Sequence, residues 1–330
     1  MTKGIDFTNC PRVFDRAYNG ANGKKIAVEY DGRPYMLKFP PSGEGKPTEL
    51  SYTNSCVSEH IASSIFNMLD VKAQETMLGT FTVNGREKIV CACLDFTGDG
   101  KKLYDFCSIK NTVLDSDSNG SGTELEDILE TIEKQQYVDP ILLKKHFWEM
   151  FAVDALLGNF DRHNGNWGFL YDPKEKKREI APVYDCGSCL LPQADATVIH
   201  AVLNDKDALN LRIYRFTTSA IKLNGNKINY YDFLSDAKYE DCNQAVRHIY
   251  ERTDMDKISA FIDGVPYISD LQKEFYKQYI EARLDVLLRP FFEMTDLTET
   301  VQTGPTISLY QNTLYRSLAK LRWLFLFILR

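Results

Sequence analysis

Two dipeptides, Asp31-Gly32 and Asn84-Gly85, each stand between short apolar runs and commit the first hundred residues to antiparallel sheet. Tight two-residue turns of this kind need positive φ, which Asn, Asp and Gly adopt at little cost. The patterning predicts strands over 25–30 and 34–39 around the first turn, and over 77–83 and 88–93 around the second. Between the hairpins, Val57, Ile61, Ile65 and Leu69 recur at helical spacing and predict one amphipathic helix over 52–69. From about residue 100 the period changes. Helices are expected over 125–136, 140–157, 242–250 and 269–292, with Pro140 in a first turn that does not use its missing N–H. One β interruption, 167–171 and 179–184 around Pro-Lys-Glu-Lys-Lys, follows the helix that ends at 157. The expected architecture is α+β and bilobal. A β-rich lobe spans 1–96, a mainly helical lobe 97–295, and a tail 296–330.

A chain of 330 residues is long enough for two lobes with a sizeable core. Its 44% hydrophobic and 26% charged residues are those of an ordinary globular protein. A net charge of -7 argues against a protein that coats nucleic acid, which needs clustered positive charge, so no nucleic-acid partner is expected. Eight scattered cysteines and no apolar signal core in MTKGIDFTNC point to reduced thiols in a cytoplasmic setting. Export, or delivery to a host, by a route without a signal peptide would leave the same sequence. No run reaches the roughly 20 apolar residues of a transmembrane helix. The short apolar run 321–329 reads as a docked or fraying terminal helix, with a membrane-surface anchor as the alternative. Oligomeric state is not legible.

Chemistry concentrates in LLGNFDRHNGNWG, 156–168, and in APVYDCGS, 181–188. Asp161 and Asn166 stand in D-x-x-x-x-N, the spacing of a kinase catalytic loop. In such a loop the Asp takes or orients the proton of the attacking hydroxyl, and the Asn amide oxygen ligates Mg²⁺. Asp185 is expected to end a strand across the following hairpin, with Gly187 close behind, as in a metal-binding D-x-G element. Held on two sides of one hairpin, Asn166 and Asp185 would grip Mg²⁺ together, and the metal would bridge the phosphates of ATP.

At these residues the sequence resembles the HipA-like kinases, and within them the compact bacterial subgroup of translocated kinases of the Helicobacter type. The likeness is carried by GANGKK at 20–25, YMLKFP at 35–40, SYTNSCVSEH at 51–60, LLGNFDRHNGNWGFL at 156–170, APVYDCGSCLLPQAD at 181–195 and INYYDFL at 228–234. It implies a protein-kinase-like fold, phosphorylation of protein Ser/Thr hydroxyls, and autophosphorylation. By motif, Lys38 would hold the α/β-phosphates with Glu59 as its helix partner, Asp161 would be the catalytic base, and Asn166 and Asp185 the Mg²⁺ ligands. DNA-binding toxin relatives carry additional N-terminal material, so an antitoxin partner is not expected here.

Several residues also speak for themselves. Gly20, Ala21, Asn22, Gly23 and Lys24 make a glycine-rich turn entering a strand, whose N–H groups suit phosphate. Lys38 lies in an apolar strand where an unpaired ammonium is costly, and Glu59 is within reach on the next helix; a solvated strand face is the alternative. Residues 90–96, including Cys93 and Asp95, fit the inter-lobe connection whose backbone would bond adenine. His163 reads equally as a contact to the γ-phosphate or Asp185 and as a brace of its own loop. Phosphoinositide kinases share the wording D-R-H-x-x-N, so a lipid or small-molecule acceptor stays open, as does a nucleotide-binding pseudokinase that acts as an interaction protein.

Other motifs are weaker. Residues 115–126, DSDSNGSGTELE, match a calcium-loop pattern, but Gly122 stands where an aliphatic residue is usual. Thr123 and Glu126 also form a capping box for the next helix, and a solvated loop is the preferred reading. Cys91, Cys93, Cys186 and Cys189 invite zinc, yet strand cysteines are more often small apolar residues. Lys174, Lys176, Lys177 and Arg178 at a hairpin tip read as a solvated turn, or as a substrate-docking patch.

Overall fold

The structure, a computed structural model, describes residues 4–16, 24–41, 53–114 and 119–293. The chain divides into two units, 1–290 and 291–330, and the strands and helices that follow belong to the first. The glycine-rich turn at Gly20, Ala21, Asn22 and Gly23, the head of the calcium-like loop and the apolar tail all lie outside the described residues.

Both expected hairpins form. Strand β2 (Lys25–Tyr30) turns at Asp31, φ 49°, into β3 (Arg33–Lys38), and β4 (Thr76–Val83) turns at Asn84, φ 51°, into β5 (Arg86–Leu94). With the short β1 (Ile5–Asp6) they make one five-stranded sheet in the order β1-β4-β5-β3-β2. Strand alternation then sorts its side chains. Ile26, Val28, Tyr35, Leu37, Phe39, Val90 and Ala92 join Phe7 in one buried cluster. Met36, Lys38, Cys91 and Cys93, at the intervening positions, face the other way. Helix α1 (Ser55–Met68) packs on β4 and β5 with Val57, Ile61 and Ile65 buried, as its spacing predicts.

Several contacts tie α1 and the sheet to the helical part. Val183 bridges Ala73 and accepts the Gln74 N–H at 2.8 Å, and Arg252 donates to Leu69 O at 3.3 Å. The His60 ring on α1 lies 5.7 Å from that of Phe261, tilted by 54°.

The helical part is built around α4 (Pro140–Leu157), capped by Asp139 and ended by Gly158 at φ 64°. Its second half is buried on every side because α3 (Leu125–Lys134), α8 (Glu240–Arg252) and α10 (Asp270–Arg283) all pack against it. The hairpin β7 (Gly168–Asp172)–β8 (Lys177–Ile180) follows the D-x-x-x-x-N segment and pairs with β6 (Lys102–Asp105), from earlier in the chain, as a three-stranded sheet. Helices α2 (Phe106–Val113), α5 (Ala196–Asn204), α6 (Lys206–Tyr214), α7 (Tyr230–Asp236) and α9 (Met255–Gly264), and the hairpin β9 (Thr218–Leu223)–β10 (Asn226–Asn229), complete the unit.

Three local expectations are corrected. The strand before Asp185 stops at Ile180, so Asp185 sits in a loop rather than at a strand end. The capping box at Thr123 and Glu126 does not form, because the Thr123 hydroxyl donates to Ala220 O at 2.8 Å and Glu124 occupies the cap position. The helix expected over 269–292 passes through a π-turn at Leu284–Leu288.

Candidate active site

Lys38 arrives by strand alternation on the α1 side of the sheet, directly opposite Cys91 on β5 and Lys25 on β2. Its Nζ is 2.9 Å from Glu59 Oε2 and 2.9 Å from Asp185 Oδ1. Glu59 is 1% exposed, so its charge depends on this partner. Burial alone would lower the Lys38 pKa, but Asp185 and Glu59 outweigh it and hold it well above the ordinary lysine value. The second oxygen of Glu59 accepts the Cys186 N–H at 3.1 Å, so one carboxylate fixes both the lysine and the loop that carries Asp185. Gly187 passes close by: a Cβ there would lie 3.1 Å from Glu59 Oε2.

Asp185 itself has φ 59°, a left-handed conformation that Asp tolerates better than most residues. Its carboxylate is 48% exposed and held down to about 2 chiefly by the Lys38 charge, which outweighs burial. At neutral pH it is an ionised oxygen donor with one side open.

The catalytic segment begins where Gly158 ends α4. Asn159 Oδ1 accepts the Asp161 N–H at 3.0 Å, and Tyr230 OH donates to Asn159 O at 2.6 Å. Asn166 Nδ2 donates to Asp161 O at 2.8 Å, closing the D-x-x-x-x-N loop on itself. That bond orients the amide. Among the described residues Oδ1 of Asn166 takes no hydrogen bond, which leaves it available to a cation. Burial raises the Asp161 pKa and the nearby Asp185 raises it further, against His163, Lys227 and Arg162. His163 is exposed, and its Nδ1 accepts the Gly165 N–H at 3.0 Å, so the ring closes a turn of the loop.

Arg162 organises these pieces. Fully buried, it grips Asp154 on α4 through Nε and Nη2 at 2.9 and 3.1 Å, and donates to Asn166 O at 3.0 Å, Tyr184 O at 2.5 Å and Cys186 Sγ at 3.3 Å. One guanidinium thus binds the loop of Asp161 and Asn166 to the loop of Asp185. Asp154 also accepts from Asn159 Nδ2 at 2.7 Å. Sequence reasoning assigned no role to Asp154, Asn159, Tyr184 or Tyr230. The available signal was an acid within the apolar run MFAVDALL, since a buried carboxylate requires a cation, and Arg162 follows at once.

At the connection between the lobes, Cys93 is fully buried with Met36 and Thr76 on either side in the sheet. Asp95 is paired with Arg16, and its Oδ1 accepts the Thr97 N–H at 2.8 Å. The Leu94 N–H goes to Glu75 O and that of Asp95 to Pro34 O, so among the described residues the first N–H there without a partner is that of Phe96. Lys24 stands beside this sheet with Nζ 5.6 Å from the Phe39 ring centre.

The remaining motifs lie apart from this centre. Among the described residues no cluster of three or more His, Cys, Asp or Glu side chains is placed to hold a metal. Cys186 and Cys189 are buried, with pKa values pushed up by desolvation, to about 12 for Cys186. Gly120 O and Gly122 O of the calcium-like segment both accept from Asn164 Nδ2, at 3.0 and 2.8 Å, which docks that segment on the catalytic loop.

A sheet-rich lobe whose lysine pairs with a helix glutamate, set over a D-x-x-x-x-N loop and a second aspartate, is the design of a protein-kinase-like phosphotransferase. Residues 17–263 match the family described as HipA-like C-terminal domain. The chain is 48% identical over 283 residues to the serine/threonine-protein kinase CtkA of Helicobacter pylori, covering 84% of this chain and 85% of that protein. A crystal structure of the Helicobacter pylori proinflammatory kinase CtkA superposes with TM-score 0.81 at 46% identity, over 88% of this chain and 98% of that one. HipA from Shewanella oneidensis, solved with HipB and operator DNA, gives TM-score 0.49 at 14% identity over 86% of this chain and 67% of that one, too distant to argue from. This chain belongs to the HipA-like family and is a kinase of that family.

Proposed function

We propose that the protein transfers the γ-phosphoryl group of ATP to serine or threonine hydroxyls of proteins, including its own. The observation that carries this is the joint engagement of Lys38 with Glu59 and Asp185, at 2.9 Å each, beside a loop whose Asn166 is turned by Asp161. On this reading Lys38 holds the α/β-phosphates, Lys24 and the glycine-rich sequence at 20–23 cover them, and the Phe96 N–H bonds adenine. The residues fit a divalent cation: Asn166 Oδ1 and the Asp185 carboxylate are hard oxygen donors, and Mg²⁺ typically keeps only one or two protein ligands. That ion, when bound, neutralises charge on the phosphates. Asp161 accepts the proton of the acceptor hydroxyl, and its raised pKa makes it a better proton acceptor than an ordinary carboxylate. Residues 1–96 serve as the nucleotide lobe and 97–295 as the acceptor lobe. All eight cysteines are free, which fits work in a reducing, cytoplasmic compartment.

Asp161→Asn tests the assignment. The variant should bind ATP with near wild-type affinity and lose transfer by 10³-fold or more, on the order expected for a catalytic base combined with orientation of the acceptor. Mass spectrometry after incubation with Mg-ATP reads autophosphorylation directly. Protein and phosphoinositide acceptors assayed side by side with labelled ATP separate a protein kinase from a lipid kinase. Phosphorylation by the variant at the wild-type rate would remove Asp161 from the mechanism.

A further inference from the structure

The β9–β10 hairpin is fastened to the catalytic region at both ends. Lys222 N donates to Thr123 O at 2.8 Å, Gly225 N to Glu124 Oε2 at 3.2 Å, and Tyr230, next after β10, donates to Asn159 O at 2.6 Å. Two lysines stand directly opposite each other on it, Lys227 on β10 and Lys222 on β9. Directly opposed residues of an antiparallel pair share one face, and like charges there destabilise the sheet. Neither lysine forms an ion pair among the described residues, although Asp161 lies within electrostatic reach of Lys227. Lys110, Lys134, Lys144 and Lys277, by contrast, each hold a carboxylate within 3.0 Å. Glu124, which adjoins Lys222 across a bridge, turns its Oε2 to the Gly225 N–H instead.

The anchoring of the hairpin shows which side of the site the pair serves: Tyr230 holds Asn159, two residues before Asp161, and Asn164 of the same loop holds Gly122, next to Thr123. Lys38 and Lys25 act on Asp185, the metal side. Lys227 acts on Asp161, the side where the acceptor hydroxyl must lie. Of the other groups beside Asp161, Arg162 is buried on Asp154, and the His163 ring accepts the Gly165 N–H. Lys227 is exposed.

We propose that Lys222 and Lys227 bind carboxylates flanking the acceptor serine or threonine, so that acidic Ser/Thr segments are the preferred substrate class. The proposal rests on the protein-kinase reading above. The lysines take no part in the bond changes: the acceptor oxygen–phosphorus bond forms, the bond from the γ-phosphorus to the bridging oxygen breaks, the hydroxyl proton passes to Asp161, and ADP leaves. They hold the peptide while this happens. Exposed ion pairs each contribute at most about fivefold in binding, so the pair together sets a preference of roughly tenfold, weakened by salt.

The test uses the full chain and three matched peptides, each with one serine flanked by Asp, by Gln or by Lys. Wild type should favour the Asp peptide over the Lys peptide about tenfold in kcat/KM, mainly through KM, and high salt should erase the difference. Lys222→Glu/Lys227→Glu should invert the order, and Lys227→Gln should flatten it without lowering the urea midpoint, since it relieves the repulsion across the pair. A preference unmoved by the charge reversal, or equal loss on all three peptides, overturns the proposal while leaving the kinase reading intact. If wild type labels no peptide and consumes no ATP, the kinase reading fails and this proposal with it.

Discussion

Replacing Asp154 by Ala leaves the Arg162 guanidinium buried without its carboxylate, both side chains being 1% exposed. Burial opposes the Arg162 charge and Asp154 is its main counterweight. Breaking such a pair from one side costs about 3–5 kcal/mol, because the surviving charge has no solvent to turn to. Asn159 Nδ2 loses its acceptor at the same time, which adds about 1 kcal/mol. A total of about 5 kcal/mol corresponds to a Tm lower by roughly 8 °C for a domain of this size. Urea unfolding followed by the fluorescence of buried Trp148 and Trp167 measures it. The paired replacement Asp154→Leu/Arg162→Met removes both charges and should recover about half of that loss, leaving roughly 2–3 kcal/mol for the unpaired Asn159 Nδ2, Asn166 O and Tyr184 O. It should not recover phosphotransfer. Asn166 O and Tyr184 O lose their shared donor, and displacement of a catalytic group by about 1 Å costs on the order of 100-fold. Asp154→Ala with a wild-type urea midpoint, or a fully active double variant, would refute this account of Arg162.

Lys38→Met should lower kcat about 10²–10³-fold, the usual effect of removing one charge-stabilising group, as read in a Mg-ATP transfer assay. It should also release Asp185 upward, since the Lys38 charge is what chiefly holds it near 2. Because that pKa is depressed in the fold, its stabilisation is present above about pH 4 and is lost as pH falls through about 2. Asp185→Asn and wild type should therefore differ in stability at neutral pH and converge near pH 2 in acid titrations. His60, kept neutral with its pKa pushed down to about 4 by burial, acts in the acid range as well. The unfolded chain takes up this proton near pH 6.5 and the folded one does not, so stability falls between pH 6.5 and 4 by about 3 kcal/mol. Burial pushes His146 down to about 4 as well, so His60→Gln should roughly halve the overall slope in this range of denaturant midpoints, and an unchanged slope would exclude His60 as a source.

Both N-terminal hairpins, α1 and α4 were legible because each is specified locally: Asp31-Gly32 and Asn84-Gly85 set turns, the spacing of Val57, Ile61 and Ile65 sets a buried stripe, and Pro140 marks a helix start. The same alternation that made β3 readable also placed Lys38 opposite the core face, so its meeting with Glu59 followed from periods of 2 and 3.6. Strands β1, β6, β9 and β10 were not foreseen, being two to six residues long and stable only against partners far away in the chain. Thr123 illustrates the limit: its capping sequence is sound, but a carbonyl 97 residues further on, Ala220 O, captures the hydroxyl.

The sequence by itself determined the kinds of chemical group at the centre and their local spacing, since a catalytic loop is a short continuous segment with its own turn geometry. Tertiary structure alone decided the rest: that Asp154 and Arg162 lock two loops into one unit, that Glu59 holds Lys38 and Cys186 together, and that a distant hairpin brings Lys227 to Asp161. The physical reason is that charges and hydrogen-bond donors acquire their strength from burial and from partners, and neither is a property of a residue's neighbours in the chain.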